Sequence, residues 1–165
     1  MGIEQPKSEV KYMNIQLRDI TSDNFMEYVL LKSTAAQERL LFEEHVASNA
    51  FSLAQAKVEP EWLSKAIYYE GTMVGFTMYG FDQKQKFYFI TRLMIDFHHQ
   101  GKGFGKYAML KFIEHVEKFP CKEVYTSFVP SNERAKKLYT SLGFEHTGGV
   151  TNEGEPLYCL RFEKQ

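Results

Sequence analysis

The sequence predicts an α/β fold of the α+β mixed-sheet type, a central sheet flanked by helices in three layers, and three observations predict it. Strand-like segments come in clusters with helical segments between them, the order expected of a mixed domain. The run "KFYFITRLMID" is apolar almost throughout, as a central strand covered on both faces would be. Directly after it, "HHQGKGFGKYAM" places three glycines in five positions and leads into an amphipathic helix.

At 165 residues the chain suits one domain, expected over 12–165 behind a loose leader at 1–11. In "YMNIQLRDI", Met13, Ile15 and Leu17 alternate with polar residues as in a half-buried strand. "TSDNFMEYVLLK" then turns helical, with Thr21, Ser22 and Asp23 as cap candidates. A second helix is expected from Gln37 to Ala47, then a short helix and a surface loop across 48–64. Two strands surround a tight turn at Glu70-Gly71-Thr72, ahead of the apolar central strand. The helix after the glycines shows Met109, Phe112, Ile113, Val116 and Phe119 at spacings of three and four before Pro120. "KEVYTSFV" reads as a strand, and "SNERAKKLYTSLGF" as a helix opened near Ser131 or Asn132 and ended by Gly143. Strands at Phe144–Thr147 and "PLYCLRF" close the chain.

Composition excludes several classes. Hydrophobic content of 44% with 25% charged residues is ordinary for a globular protein, and 14 Phe with 10 Tyr promise a well-filled core. A formal net charge of -1 gives no field for nucleic acid or an anionic membrane. No apolar run reaches transmembrane length, "MGIEQPKSEV" lacks a signal-peptide core, and Pro6 spoils a myristoylation motif at Gly2. Cys121 and Cys159 form neither a CxxC pair nor a zinc spacing, and the adjacent His98 and His99 diverge, so no metal is expected. A cytoplasmic location is the expectation.

The glycine loop carries the chemistry. First-turn N–H groups of a helix lack internal partners and sit at the positive end of its dipole. Glycine bares that backbone, so an anion reaches it, and Lys102 and Lys106 add charge. A phosphate or pyrophosphate is the natural ligand. Yet the spacing GxGxG matches neither the Walker P-loop nor the dinucleotide fingerprint GxGxxG. A bare glycine turn remains the plain alternative.

"HHQGKGFG" and "NERAKKLYTSLGF" together resemble the two signature blocks of the GNAT family of N-acetyltransferases, in their order and separation. Gln100, Gly101, Gly103 and Gly105 fall in register in the first, and Asn132, Ala135, Tyr139, Gly143 and Phe144 in the second. Within that family, "YYEGTMVGFTMYG" followed by "RLMIDFHHQGKGFGK" is similar to the Bacillus-type spermine/spermidine acetyltransferases. The resemblance implies direct transfer of acetyl from acetyl-CoA to a primary amine, a polyamine such as spermidine or spermine, in a ternary complex. It implies that the backbone of Gln100, Gly101, Lys102, Gly103, Phe104, Gly105 and Lys106 holds the coenzyme A pyrophosphate. Leu93, Met94 and Ile95 would receive the pantetheine arm, and Asn132 would also contact the cofactor. Tyr139 occupies the general-acid position, against the plain reading of a core aromatic. Where many relatives carry a carboxylate base, ten residues before the first glycine, this chain has Thr91 beside Arg92. The base is open between ordered water, Glu70, another acidic group that the sequence does not locate, and Tyr79. Candidate acceptor carboxylates are Glu43 and Glu44, then Glu70, Glu27 and Asp82, with Trp62 and Phe51 available to pack on methylene chains. Other readings are a protein lysine or N-terminus, another small amine, or a non-catalytic coenzyme A-binding module. A homodimer fits the family's habit.

Overall fold

The computed structural model describes residues 13–33 and 49–163. The expected leader at 1–11, the helix expected from Gln37 to Ala47, and Glu43 and Glu44 lie outside the described residues. Seven strands form one sheet: β1 (Ile15–Asp19), β2 (Trp62–Tyr69), β3 (Thr72–Asp82), β4 (Phe87–Ile95), β5 (Glu123–Ser127), β6 (Glu145–Val150) and β7 (Pro156–Arg161). Their order is β1-β2-β3-β4-β5-β7-β6, and every pairing is antiparallel except β4 with β5. The helices are α1 (Phe25–Leu30), α2 (Asn49–Val58), α3 (Phe104–Val116) and α4 (Glu133–Ser141).

Two cores follow from this layering. Tyr28 and Leu31 pack with Ala66, Phe76 and Met94, with Leu53 of α2 against them, on one face of the sheet. On the other face, Met109, Phe112 and Val116 of α3 meet Tyr79, Ile90, Val124 and Phe128, and α4 adds Tyr139. The two-residue turn Glu70–Gly71 has φ of 49° and 80°, both left-handed, the form whose twist matches the strands it joins.

Strand β4 changes face partway. Tyr88 and Ile90 belong to the α3 side, Tyr88 meeting Phe112 edge-on at 5.9 Å. In the pairing with β3, Met78 opposes Arg92 and Tyr79 opposes Ile90, so Thr91 is an extra, bulged residue. Beyond it Leu93 and Ile95 take the α3 side, while Met94, and Arg92 with it, face α1 and α2. Pairing of β4 with β5 stops at Ile90 and Thr126. There the Thr126 hydroxyl donates to the Ile90 carbonyl at 3.1 Å, closing the ladder where the strands part.

Three local readings are corrected. Helix α3 ends at Val116, and Phe119 is 47% exposed rather than part of the apolar face. Pro120 disfavours helical geometry at the residue before it, and Cys121 N–H instead donates to Phe119 O. The expected loop up to residue 64 is shorter, because β2 starts at Trp62, whose indole lies over the cross-strand Gly80. The N-cap position of α1 is Asn24, rather than Thr21, Ser22 or Asp23, although the Thr21 hydroxyl accepts from Asp23 N–H within the same turn. Asn24 Oδ1 accepts from Thr21 N–H at 2.8 Å and its Nδ2 donates to Asp19 O at 3.0 Å.

The exit of α1 is stitched to the end of β4 by Asp96, whose side chain is 12% exposed. Its carboxylate accepts from Lys32 N–H at 2.9 Å, His98 N–H at 3.1 Å and His98 Nδ1 at 3.0 Å. Burial alone would raise its pKa, but these hydrogen bonds outweigh burial and hold it below the ordinary carboxylate range. The folded pKa therefore lies below the unfolded one. The stability this gives is complete above about pH 4 and lost as pH falls through the folded value. Asp96→Ala, which orphans two backbone donors, is expected to cost about 1–3 kcal/mol at pH 7 by urea unfolding. The gap between variant and parent should close as the pH is taken below about 4. At Gly75, an added Cβ would lie 2.2 Å from Met94 O, a backbone atom that cannot swing away. Gly75→Ala should lower stability by roughly 1–3 kcal/mol in the same assay.

Candidate active site

A short 3₁₀ turn, Phe97–His99, leads from β4 into the glycine loop. Gly101 and Gly103 have φ of 74° and 85°, and Gly103 caps α3 in the left-handed conformation, where an L side chain costs roughly 1–2 kcal/mol. Gly105 differs. A Cβ there would sit 3.7–3.9 Å from Ile95, Leu138 and Leu93, so alanine fits, and only larger groups would fill the space beside the loop. Tyr107 N–H reaches Gly103 O, while the N–H groups of Gly103, Phe104, Gly105 and Lys106 find no backbone acceptor among the described residues.

These residues line a cavity of about 420 Å³ that begins at the loop and runs into the opening between β4 and β5. Its other walls are Ile90 to Leu93 and Ile95 of β4, Thr126 to Phe128, the start of α4, Tyr139 and Glu155. Asp96 N–H donates to Val74 O, toward β3, so alternation turns the backbone of Met94 toward β3 and that of Leu93 and Ile95 toward the opening. Gln100 then takes up Ile95 O through its Nε2 at 2.9 Å. Arg134 Nη1 donates to Gln100 Oε1 at 3.3 Å, linking α4 to the loop. Lys106 and Arg134 are the cations at this end of the cavity.

Helix α4 is set by its cap: Asn132 Oδ1 accepts from Ala135 N–H at 3.0 Å. Tyr139, 5% exposed, is thereby held against Phe128 in a parallel stack at 5.8 Å and against Phe144 edge-on at 5.2 Å. Burial pushes its phenol up to about 12, with the neighbouring Thr126 hydroxyl pulling the other way. Thr91 is exposed to the cavity at the bulge. Arg92 faces α2, hydrogen-bonded to Ser52 and lying 5.6 Å from the Phe51 ring centroid. Burial lowers its pKa, partly offset by Tyr28. None of the ion pairs among the described residues includes Arg92.

The structure gathers most of the residues expected from the sequence and separates the others. Leu93, Ile95, Gln100, Gly101, Gly103, Phe104, Gly105, Lys106, Asn132 and Tyr139 all border the cavity. Met94 does not, since its side chain is buried in the Tyr28 core on the opposite face. Lys102 points away, its Nζ 3.4 Å from His98 O. Glu70 sits in the β2–β3 turn, outside the cavity wall. Tyr79, raised to about 12 by burial, borders a separate 280 Å³ hollow with Lys65, Lys111 and Lys118. No cluster among the described residues has the ligands to hold a metal ion. Sequence reasoning missed Arg134 and Glu155. Arg134 had a signal, a cation in the first turn of the helix that follows Asn132. Glu155 had none, because the register of β5 with β7 brings it to Ser127, whose Oγ donates to Glu155 Oε2 at 2.7 Å.

Comparison with known proteins agrees with this geometry. The model of the acetyltransferase (GNAT) family matches residues 17–144. The chain is 33% identical over 150 residues to the spermine/spermidine N(1)-acetyltransferase of Bacillus subtilis (strain 168), covering 87% of this chain and 95% of that protein. Among solved structures, an acetyltransferase of Thermus thermophilus superposes with a TM-score of 0.73 at 16% identity, over 92% of this chain and 99% of that one. The spermidine N-acetyltransferase of Vibrio cholerae, in complex with CoA and spermine, gives 0.71 at 15% identity, over 88% and 92%. With a bulged central strand, a glycine-capped helix at its end and a family match across most of its length, the chain belongs to the GNAT family of acetyltransferases.

Proposed function

We propose that the protein transfers an acetyl group from acetyl-CoA to a primary amine of the polyamine class, spermidine or spermine, directly in a ternary complex. The observation that carries this is one continuous cavity joining four N–H groups at the start of α3, without a backbone acceptor among the described residues, to a buried phenol. The residues fit the cofactor's parts. A diphosphate is matched by the N–H groups of residues 103–106 with Lys106 and Arg134 beside them. An amide-bearing arm is matched by the Leu93 backbone and the Ile95 N–H, turned to the opening where β4 and β5 separate, the Ile95 carbonyl being taken up by Gln100. Acetyl-CoA supplies the acetyl group activated as a thioester.

The chain's own groups do the rest. An N–H of the opened β4 edge is placed to stabilise negative charge growing on a carbonyl oxygen. Tyr139, with a pKa of about 12, keeps its proton at its phenol oxygen throughout the physiological range and offers it to the sulfur as it leaves. Thr91 cannot take a proton from the incoming ammonium, so the amine loses it elsewhere. The polyamine class is supported by the 33% identity to the Bacillus enzyme. A second reading, an acceptor carrying its own carboxylate, such as a peptide, is favoured by Arg92, a half-buried cation with no ion-pair partner among the described residues. The two free cysteines suit a reducing compartment, the cytoplasm.

The test is release of free thiol from acetyl-CoA by purified protein given spermidine, spermine, a monoamine or a lysine peptide. Turnover with the polyamines and not the peptide is expected; turnover with the peptide alone selects the second reading. Tight coenzyme A binding with no turnover on any amine overturns acetyl transfer. Tyr139→Phe should lower kcat roughly 100-fold or more while leaving coenzyme A affinity unchanged. An unchanged rate would reduce Tyr139 to a packing aromatic. Because its pKa is raised to about 12, activity should rise with pH as the amine deprotonates, and Tyr139 should cause no loss below about pH 10.

A further inference from the structure

The cavity has an uneven charge pattern. Arg92, Lys106 and Arg134 border it, and Glu155 is the single carboxylate that does so among the described residues. An amine acceptor arrives as a cation, with an ordinary pKa of about 10, and needs a counter-charge near the bond that forms. Thr91 supplies none. His99, the other titratable base in the wall, lies at the loop end, 6.2 Å between ring centroids from Phe104.

Glu155 is at the other end and on the other side of the sheet. On β5, Val124 and Phe128 pack with Phe112 and Tyr139 on the α3–α4 side, so alternation turns Ser127 to the opposite side. Glu155 accepts from that Ser127 hydroxyl. Arg92 faces the same side from β4. The cavity therefore passes between the parted strands, with Tyr139 on one side and Glu155 on the other. The carboxylate is also held firmly. Glu155 N–H donates to Thr151 Oγ1 at 3.3 Å, Thr151 N–H to Glu155 O at 2.8 Å, and Gly154, with φ of 80°, closes the turn.

We propose that Glu155 is the carboxylate that receives the acceptor's reacting ammonium group, Ser127 fixing its orientation; this rests on the amine-acetyltransfer reading above. The carboxylate holds the amine at the strand opening and favours amines over neutral acceptors such as alcohols. Arg92, across the opening, turns the remaining positive charges of a polyamine outward along the Glu155 side.

The test compares unsubstituted protein with Glu155→Gln and Glu155→Asp. It uses thiol-release kinetics with spermidine and calorimetric titration of spermidine into the coenzyme A complex. Glu155→Gln should raise the spermidine KM and Kd by roughly tenfold to a hundredfold, with the acetyl-CoA KM and the unfolding midpoint unchanged. Glu155→Asp, which keeps the charge, should recover part of that loss. Spermidine KM and Kd within about twofold of the parent in the Gln variant would overturn the assignment and leave acetyl transfer standing. So would an Asp variant no better than the Gln variant. No turnover by the unsubstituted protein with any amine would overturn acetyl transfer itself and take this assignment with it.

Discussion

The separation of β4 from β5 after Ile90 is the constraint on which the site depends. Two parallel strands buried in the middle of a sheet cannot part freely, because each parted residue leaves a backbone donor and acceptor to be satisfied. The chain meets this in three ways. Thr126 gives its hydroxyl to Ile90 O at the fork. The bulge at Thr91 bends β4 away and exchanges which residues face α3. Gln100 caps Ile95 O at the far end. Between these points the Leu93 backbone and the Ile95 N–H turn toward the cavity, where β4 has no strand partner among the described residues.

The glycines take on different roles in this setting. Gly101 and Gly103 are demanded by backbone conformation, since both lie at positive φ where the chain must turn sharply from the 3₁₀ segment into α3. Gly105 has no such demand, and the contacts around it would admit a methyl group. Its bareness widens the approach between Leu93 and Leu138, beside N–H groups that find no backbone acceptor among the described residues. Two of the three glycines therefore shape the helix start, and the third leaves open space beside it.

Much of this was legible in the sequence because it is encoded locally. The Asn132 cap, the Gly143 stop and the helical placement of Tyr139 each follow from residues within a turn or two of one another. The glycine loop was readable for the same reason. The α3 helix was over-extended to Phe119 because periodicity continues through a residue whose backbone Pro120 had already diverted. The features left unread depend on pairing across long stretches of chain. Thr126 meets Ile90 over 36 residues of separation, and Ser127 meets Glu155 over 28. No local pattern marks either pair. The bulge at Thr91 was equally hidden: the apolar run reads as one continuous strand, and only its register against β3 shows that Arg92 and Leu93 have exchanged sides.

That exchange also explains how one chain separates two opposed proton tasks. In the proposed transfer Tyr139 is the proton donor, and it stands among Phe128, Phe144 and Thr126, where burial disfavours the phenolate. The carboxylate proposed to receive the ammonium, Glu155, is half-buried, with a hydroxyl donor and a fixed turn beneath it. Placed in one environment, the two would interfere: the charge would stabilise a nearby cation at the expense of the dry wall that keeps the phenol neutral. The sheet keeps them apart. Because β4 and β5 part instead of closing, the dry side and the charged side open into the same cavity, and a reacting bond placed between the strands is exposed to both at once.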